Sequence, residues 1–353
     1  MENGRQAEDR ETPNALSLSY EEWEKLAVEV WEEPKFRAAQ VCQWVYAKKI
    51  FDCHEMTNLS KPLRERLACE APVKLPVQVG EQKSKDRTRK FLWQFEDGAR
   101  VESVLLNHGT HTTACVSSQA GCPLACVFCA TGQMGYERDL TAGEIAGQFL
   151  LMEKRLGREV NNVVYMGMGE PLLNQKNVFA SIRALNHPKM RGLGARHITV
   201  STSGVAPGIK DLADFEVPVR LSVSLHAPND ALRNKLMPVN RRYPLPTLMD
   251  ALRYYKKRAE ERVTIEYVLI DGVNDDPQLA FEMATLLDGL GFYVNVIPCN
   301  PGAAGARPSE ARIRAFCAAL TELSIEFELR REKGADILAA CGQLAAKSKP
   351  LDP

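Results

Sequence analysis

Cys122, Cys126 and Cys129 stand in the run Gly121-Cys-Pro-Leu-Ala-Cys-Val-Phe-Cys129. This C-x3-C-x2-C spacing delivers three thiolates from one short loop. A cubane 4Fe–4S cluster has four iron corners, and each normally takes a cysteine. Three ligands leave one iron open, free to chelate the amino and carboxylate groups of S-adenosylmethionine and to pass it an electron. The loop therefore points to radical chemistry rather than electron carriage. A structural zinc site built from four thiolates is the competing reading, with Cys115 as the fourth ligand.

Such a loop needs a scaffold, and from Thr113 onward strand and helix patterns alternate. Strands are expected at Thr113–Ser117, Asn162–Met168, His197–Ser203, Arg220–His226, Thr264–Ile270 and Tyr293–Pro298, with a last one at Glu326–Arg331. Helical patterns separate them, one of them opened by Thr141 and Glu144 in capping-box spacing. Six β/α units argue a parallel sheet. An open, partial (β/α)6 barrel fits better than an eightfold one, which takes about 250 residues. No solenoid-type repeat is present.

In parallel α/β folds, ligands bind at the C-terminal ends of the strands. The first strand here runs into the cysteine loop. The others end in Met166-Gly-Met-Gly-Glu-Pro171, Ser201-Thr-Ser-Gly204, Ser224-Leu-His226 and Cys299-Asn-Pro301. The glycines would let backbone approach a ligand, Glu170 could accept from an ammonium group, and Asn300 has an amide to offer. Cys115 lies just before the cluster loop. Cys341 lies between Gly334 and Gly342, in a segment able to fold back over the barrel mouth.

Residues 19–76 read as short helices, with Ser19 and Glu22 in capping-box spacing and Pro62 near a first turn. Residues 77–106 read as a β meander whose tip carries the densest basic run, Lys83–Lys90. That run and Asn240-Arg-Arg-Tyr243 are candidate RNA contacts. The chain has 353 residues, is 45% hydrophobic and 25% charged, and carries no formal net charge, so bulk charge does not call for nucleic acid. No apolar run reaches the roughly 18 residues of a membrane span, and Met1–Leu16 lacks the apolar stretch of a secretory signal. A cytoplasmic protein with reduced thiols is expected, so its ten cysteines favour metal or redox work over disulfide scaffolding.

Several motifs together resemble the RlmN/Cfr radical-S-adenosylmethionine RNA methyltransferases. They are Cys115-Val-Ser-Ser-Gln-Ala-Gly-Cys122, Cys129-Ala-Thr-Gly132, Gly167-Met-Gly-Glu-Pro-Leu-Leu-Asn174 and Ala340-Cys-Gly-Gln-Leu344. Ser201–Gly204, Ser224–Asp230 and Glu266–Asp275 are similar to the RlmN branch. Ala335 and Leu338 depart from the pattern, replacing acidic residues usual near the last cysteine.

The resemblance implies a radical-SAM barrel and methylation of carbon 2 of adenosine, in 23S rRNA at the peptidyl-transferase centre and in tRNA 3′ of the anticodon. It implies one 4Fe–4S cluster on Cys122, Cys126 and Cys129, and two S-adenosylmethionine molecules per turnover. Gly169, Glu170, Ser201, Ser224, Leu225, His226 and Asn300 would contact S-adenosylmethionine. Cys341 would carry a methyl group that a 5′-deoxyadenosyl radical activates, Glu102 would accept the ring proton, and Cys115 would release product by forming a disulfide with Cys341. Read without the resemblance, Glu102 is a surface strand residue and His226 a core histidine. A flavodoxin-type electron donor and a monomeric state are expected.

The implied organisation is a disordered lead-in at 1–18, a helical RNA-binding module at 19–76, and a β hairpin extending the barrel at 77–110. The radical-SAM barrel itself would span 111–331 and a cysteine-bearing loop 332–353. The alternatives are a Cfr-like enzyme acting on adenine carbon 8 and, from another class, a zinc-bound non-catalytic RNA-binding protein.

Overall fold

The structure is a computed structural model that describes residues 12–259, 262–300 and 305–346. Most of the expected lead-in, residues 1–11, lies outside the described residues, as do Pro301 and 347–353.

Three short helices open the chain: α1 (Tyr20–Lys25), α2 (Phe36–Cys42) and α3 (Lys61–Glu70). The Ser19–Glu22 box forms as its spacing predicts: Glu22 N–H donates to Ser19 Oγ at 3.1 Å and Ser19 N–H to Glu22 Oε2 at 2.7 Å. Trp23, Val41, Leu63 and Leu67 are buried in a core continuous with that of the barrel. The junction is also polar, with Gly143 N–H donating to Ser17 Oγ at 3.0 Å.

A single ten-stranded sheet organises the rest. Its antiparallel part is β1 (Val77–Lys83), β2 (Arg89–Gln94), β3 (Arg100–Asn107) and β4 (Thr112–Cys115). A small hairpin, β5 (Gln119–Gly121) with β6 (Tyr136–Asp139), stands apart. The parallel part continues from β4 through β7 (Asn162–Tyr165), β8 (Ile198–Thr202), β9 (Arg220–Ser224), β10 (Val263–Leu269), β11 (Phe292–Pro298) and β12 (Phe327–Leu329). Strands follow chain order across the sheet, as successive right-handed β/α crossovers require. The meander is thus one edge of the barrel sheet, and β4 is where pairing changes sense. Cys115 stands at that change, opposite Val104 on β3 and Val164 on β7.

The helices are α4 (Ala130–Gln133), α5 (Ala142–Leu156), α6 (Gln175–Asn186), α7 (Ala206–Ala213), α8 (Asp230–Leu236), α9 (Leu245–Ala259), α10 (Gln278–Leu286) and α11 (Glu310–Glu322). The parallel strands match the partial barrel expected from the alternating pattern. The β5–β6 hairpin, α4 and α8 do not figure among the elements the sequence predicts. Each is too short for its periodicity to stand out, and α8 forms because the Asn229 side chain caps it, accepting from Leu232 N–H at 3.0 Å.

The expected box at α5 is also present, with Glu144 N–H on Thr141 Oγ1 at 3.2 Å and Thr141 N–H on Glu144 Oε2 at 2.8 Å. Thr141→Ala should therefore cost about 1 kcal/mol of stability, read as a lower urea midpoint with an unchanged slope.

Candidate active site at the strand ends

The cysteine loop begins where β5 turns. Gly121 has φ 75°, and a Cβ there would run into the Gly135 carbonyl, so only glycine fits. Cys122 N–H then donates to Gly135 O at 2.8 Å, Cys129 N–H to Cys126 O at 3.1 Å, and Val127 N–H to Leu236 O on α8 at 3.1 Å. Cys126 packs among Leu236, Met237 and Val239. Burial pushes the Cys122 thiol up to about 12. The Cys126 thiol is raised further, by burial and then by the charges of Cys129 and Cys122.

Burial and the neighbouring sulfurs thus oppose ionisation of Cys122 and Cys126, a cost that a bound cation would offset. An all-sulfur donor set drawn from one short loop is of the kind that holds an iron–sulfur cluster; among the described residues, the trio of ligand atoms that already lie within 4.8 Å of one another is Asp52, Cys53 and His54 rather than these three.

The neighbouring strand ends carry the other expected contacts. Gly167 and Gly169 lie against protein: a Cβ on Gly167 would meet Val116 O at 2.6 Å, and one on Gly169 would meet the Gln119 side chain at 2.5 Å. These glycines let the end of β7 pack on the segment after β4. Glu170 is buried, and its carboxylate accepts Leu172 N–H at 3.1 Å and Ser203 N–H at 2.7 Å, tying the ends of β7 and β8. Burial still leaves its pKa raised. Ser201 and Ser224 are half-buried on β8 and β9, and Leu225 is buried, its N–H on Glu266 O at 3.1 Å.

His226 has φ 56° and stands edge-on to Phe128 of the cysteine loop, ring centroids 4.8 Å apart. Its Nδ1 accepts Val268 N–H at 3.0 Å, which fixes the proton of the neutral ring on Nε2. Burial, with Arg233 nearby, lowers its pKa to about 3. Asn300 donates to Cys341 O at 3.0 Å, while its buried Oδ1 has no partner. An acceptor left open at the mouth fits a ligand that brings an N–H group.

Cys341 sits in a C-terminal loop that turns through left-handed Gly334, Leu338 and Gly342 and folds over this mouth. Gly342 O accepts Ala130 N–H at 2.7 Å, and Thr131 Oγ1 donates to Leu344 O at 2.6 Å. Cys341 keeps exposed surface, yet surrounding protein raises its thiol pKa through burial, with Arg330 acting in the opposite direction. Burial pushes Cys115 up to about 12, and Cys341 adds to the rise.

Glu102 is 4% exposed, so the surface reading drawn from its strand pattern fails. Its Oε1 pairs with Lys90 Nζ at 3.1 Å, and its Oε2 accepts Ala345 N–H at 2.9 Å. Lys90 also donates to Leu338 O at 3.2 Å, so the end of the basic run turns inward. A left-handed leucine costs roughly 1–2 kcal/mol, and a charged hydrogen bond contributes about 1.5–3 kcal/mol, which is enough to hold Leu338 there. The Lys83–Lys90 tip is itself docked on this loop through Gly334 N–H to Asp86 Oδ2 at 3.0 Å.

Three further residues enter that the sequence reading passed over as site residues. Arg233 is fully buried and donates to Ser203 O, Ser224 O, Leu225 O and Asn240 Oδ1 at 2.7–3.1 Å; burial lowers its pKa to about 10. Asn240 is therefore buried polar framework rather than an RNA contact. Glu266 is buried in the barrel, with Oε1 accepting from Asn295 at 2.9 Å and Oε2 lying 3.7 Å from Arg330. Burial alone would lower Arg330, but Cys341 and Glu266 hold its pKa up. A single acid within the apolar run Val263–Leu269 was the available signal for Glu266.

Residues 116–284 match the family described as Radical SAM superfamily. Residues 13–73 match the Ribosomal RNA large subunit methyltransferase N-terminal domain. The chain is 48% identical over 342 residues to "Probable dual-specificity RNA methyltransferase RlmN" of Thermotoga neapolitana, covering 96% of this chain and 99% of that one. It is 44% identical over 342 residues to the protein of the same description from Geobacillus kaustophilus, covering 96% and 93%. The crystal structure of a radical SAM methyltransferase from Sphaerobacter thermophilus matches with a TM-score of 0.91 at 44% identity, over 95% of this chain and 100% of that one.

His226 makes the fold acid-sensitive. Its folded pKa of about 3 lies below the unfolded value near 6.5, so its contribution is complete above about pH 6.5 and drains away as pH falls toward 3. Between pH 7 and pH 5 the loss attributable to it should be about 2 kcal/mol, and urea titrations of His226→Gln should lack that component. Gly121→Ala should lose about 1–2 kcal/mol from the left-handed backbone alone and more from the clash with the Gly135 carbonyl, seen as a lowered melting temperature.

Proposed function

This chain belongs to the RlmN family of radical SAM methyltransferases, and we propose that it methylates carbon 2 of adenosine in 23S rRNA and in tRNA, with Cys341 carrying the methyl group. The observation that supports this reading is the docking of the C-terminal loop on the cysteine-loop side of the barrel mouth, with Gly342 O on Ala130 N–H and Cys341 O on Asn300, close enough for the charge of Cys341 to raise the Cys115 pKa.

Cys122, Cys126 and Cys129 would hold the 4Fe–4S cluster, with Gly169, Glu170, Ser201, Ser224, Leu225, His226 and Asn300 around S-adenosylmethionine. Bound there, the cluster supplies the electron that lets a second S-adenosylmethionine activate the methyl group, which is needed because carbon 2 lies between two ring nitrogens and is too electron-poor to attack a sulfonium.

The protein's own residues perform the remaining steps. Cys341, as thiolate, attacks the methyl of a first S-adenosylmethionine; the new C–S bond forms as the sulfonium C–S bond breaks, its electron pair staying on the leaving sulfur. Once carbon 2 is bonded to that carbon, Glu102 would take the ring proton and the single electron then in excess on the adduct would return to the cluster that supplied the first, leaving a closed-shell thioether between the ring and Cys341. Cys115, as thiolate, then attacks the Cys341 sulfur. An S–S bond forms, the C–S bond breaks toward carbon, and that carbon takes a proton to become the product methyl. A two-electron thiol reductant restores both cysteines. The high thiol pKa of Cys115 suits a group that stays protonated until late in the cycle.

No helix among the described residues is long and apolar enough to cross a membrane. The proposed setting is the cytoplasm, the proposed active form a monomer, and the proposed electron donor a flavodoxin-type protein. The helical module and the exposed part of the basic tip are the proposed RNA contacts.

Anaerobically reconstituted enzyme, incubated with each RNA class, should yield 2-methyladenosine by nucleoside mass spectrometry; 8-methyladenosine would reassign the reaction. Cys341→Ala should abolish methylation, and retained turnover would remove the carrier role. Cys115→Ala should accumulate an RNA–protein crosslink through Cys341, visible as a shifted band on a denaturing gel; free methylated RNA from that variant would remove the resolving role.

A further inference from the structure

Lys90 belongs by sequence to a basic hairpin tip, but the fold gives it other work. It is buried on β2, and its ammonium reaches Glu102 Oε1 at 3.1 Å and Leu338 O at 3.2 Å. The other oxygen of the same carboxylate takes Ala345 N–H at 2.9 Å. One buried ion pair therefore grips the C-terminal loop on both flanks of Cys341. Other anchors lie at the hairpin tip, where Asp86 accepts Gly334 N–H, at the barrel mouth, where Asn300 donates to the Cys341 carbonyl, and on α4, where Ala130 N–H and Thr131 Oγ1 donate to Gly342 O and Leu344 O. Lys90 is what joins the loop's entry at Leu338 to the carboxylate that holds its exit.

Register explains why the grip is possible. Glu102 faces Leu92 and Lys90 faces Val104 across β2 and β3, so the two charges lie diagonally on one sheet face. The loop crosses that face, and Leu338 presents its carbonyl there in a left-handed conformation.

We propose that Lys90 is a positioning residue for the reaction: by closing the Lys90–Glu102 clamp it sets where Cys341 stands between its methyl donor and Cys115. The proposal rests on the reading of Cys341 as methyl carrier, and the two can fail separately. A carrier role that is wrong shows as turnover by Cys341→Ala. A clamp that is wrong shows in the accessibility of Cys341, which needs neither cluster nor turnover.

The test compares Lys90→Met and Lys90→Arg with the unaltered chain. Full-length protein is treated with iodoacetamide, and alkylation of Cys341 is followed by peptide mass spectrometry against the exposed Cys69 as internal reference. Loss of a charge-assisted bond should speed Cys341 alkylation about tenfold or more in Lys90→Met and lower kcat for RNA methylation about as much, with KM for RNA nearly unchanged. Lys90→Arg, which keeps a cation able to bridge both oxygens, should restore most of each. Unchanged Cys341 alkylation in Lys90→Met overturns the proposal, and so does faster alkylation with unaltered kcat. Should Lys90→Met fail to fold because Glu102 is left stranded, the double variant Lys90→Met, Glu102→Leu removes both charges. Faster alkylation of Cys341 in that protein supports the clamp, and an unchanged rate overturns it.

Discussion

Placing charge where water is scarce is the constraint on which this structure turns. The barrel mouth and the strands beside it gather the three cysteines of the loop, two further cysteines, three buried glutamates and a buried arginine. Desolvation is the leading cause of the shift at Cys115, Cys122, Cys126, Glu170, His226 and Cys341. The protein answers with pairing and hydrogen bonds. Glu170 is met by backbone N–H groups, Glu102 by Lys90, and Glu266 by Asn295 with Arg330 beyond. Among the described residues Arg233 has no carboxylate in contact and is satisfied by four oxygens from the ends of β8, β9 and the loop after α8. A cation so placed, next to Cys126, raises the local potential where the thiolates must collect, which is the electrostatic condition a negatively charged metal centre needs.

The same constraint explains why the anchors of the cysteine loop are mostly backbone. Thiolates cannot be surrounded by acids, so the loop is shaped by Gly121, by N–H groups donated to Gly135 and Leu236, and by apolar packing on α8. Its shape comes from steric and hydrogen-bond constraints that leave the sulfurs free for a metal.

How far this was legible in the sequence follows from the range of each interaction. The cysteine spacing, the capping boxes at Ser19 and Thr141, and the glycine and polar strand ends are local signals, and the fold they imply is the fold observed. The reading failed where the partner is distant in sequence. Glu102 looks like a surface residue until β2 lies beside it in one register and a loop 243 residues away closes on it. Lys90 looks like part of a basic tip for the same reason. Arg233 sits in a seven-residue helix that the pattern does not announce, and an arginine there reads as surface until two strand ends and Asn240 converge on it. Gly167 and Gly169 carry a further role that their spacing does not announce: both leave room for the chain after β4, Val116 and Ser117 against Gly167 and Gln119 against Gly169.

The way the C-terminal loop is fastened bears on how one cysteine can serve two partners. Between Gly334 and Leu344 the buried apolar residues are Ala339 and Leu344, while Leu338 is half exposed. Burial of Leu344, worth about 1.5–3 kcal/mol, anchors the exit of the loop; the stretch before it, which carries Cys341, is held mainly by polar contacts, each contributing about 1 kcal/mol net and more where a charge takes part. A segment fastened by separate polar contacts opens at a lower free energy than one keyed into the core by large side chains, because each contact can be exchanged for water. The glycines at its two ends already occupy left-handed backbone, where reorientation meets no Cβ penalty. Cys341 must meet a sulfonium methyl at one stage and the sulfur of Cys115 at another. A polar latch between glycine hinges permits both positions, where a leucine-packed loop would permit one.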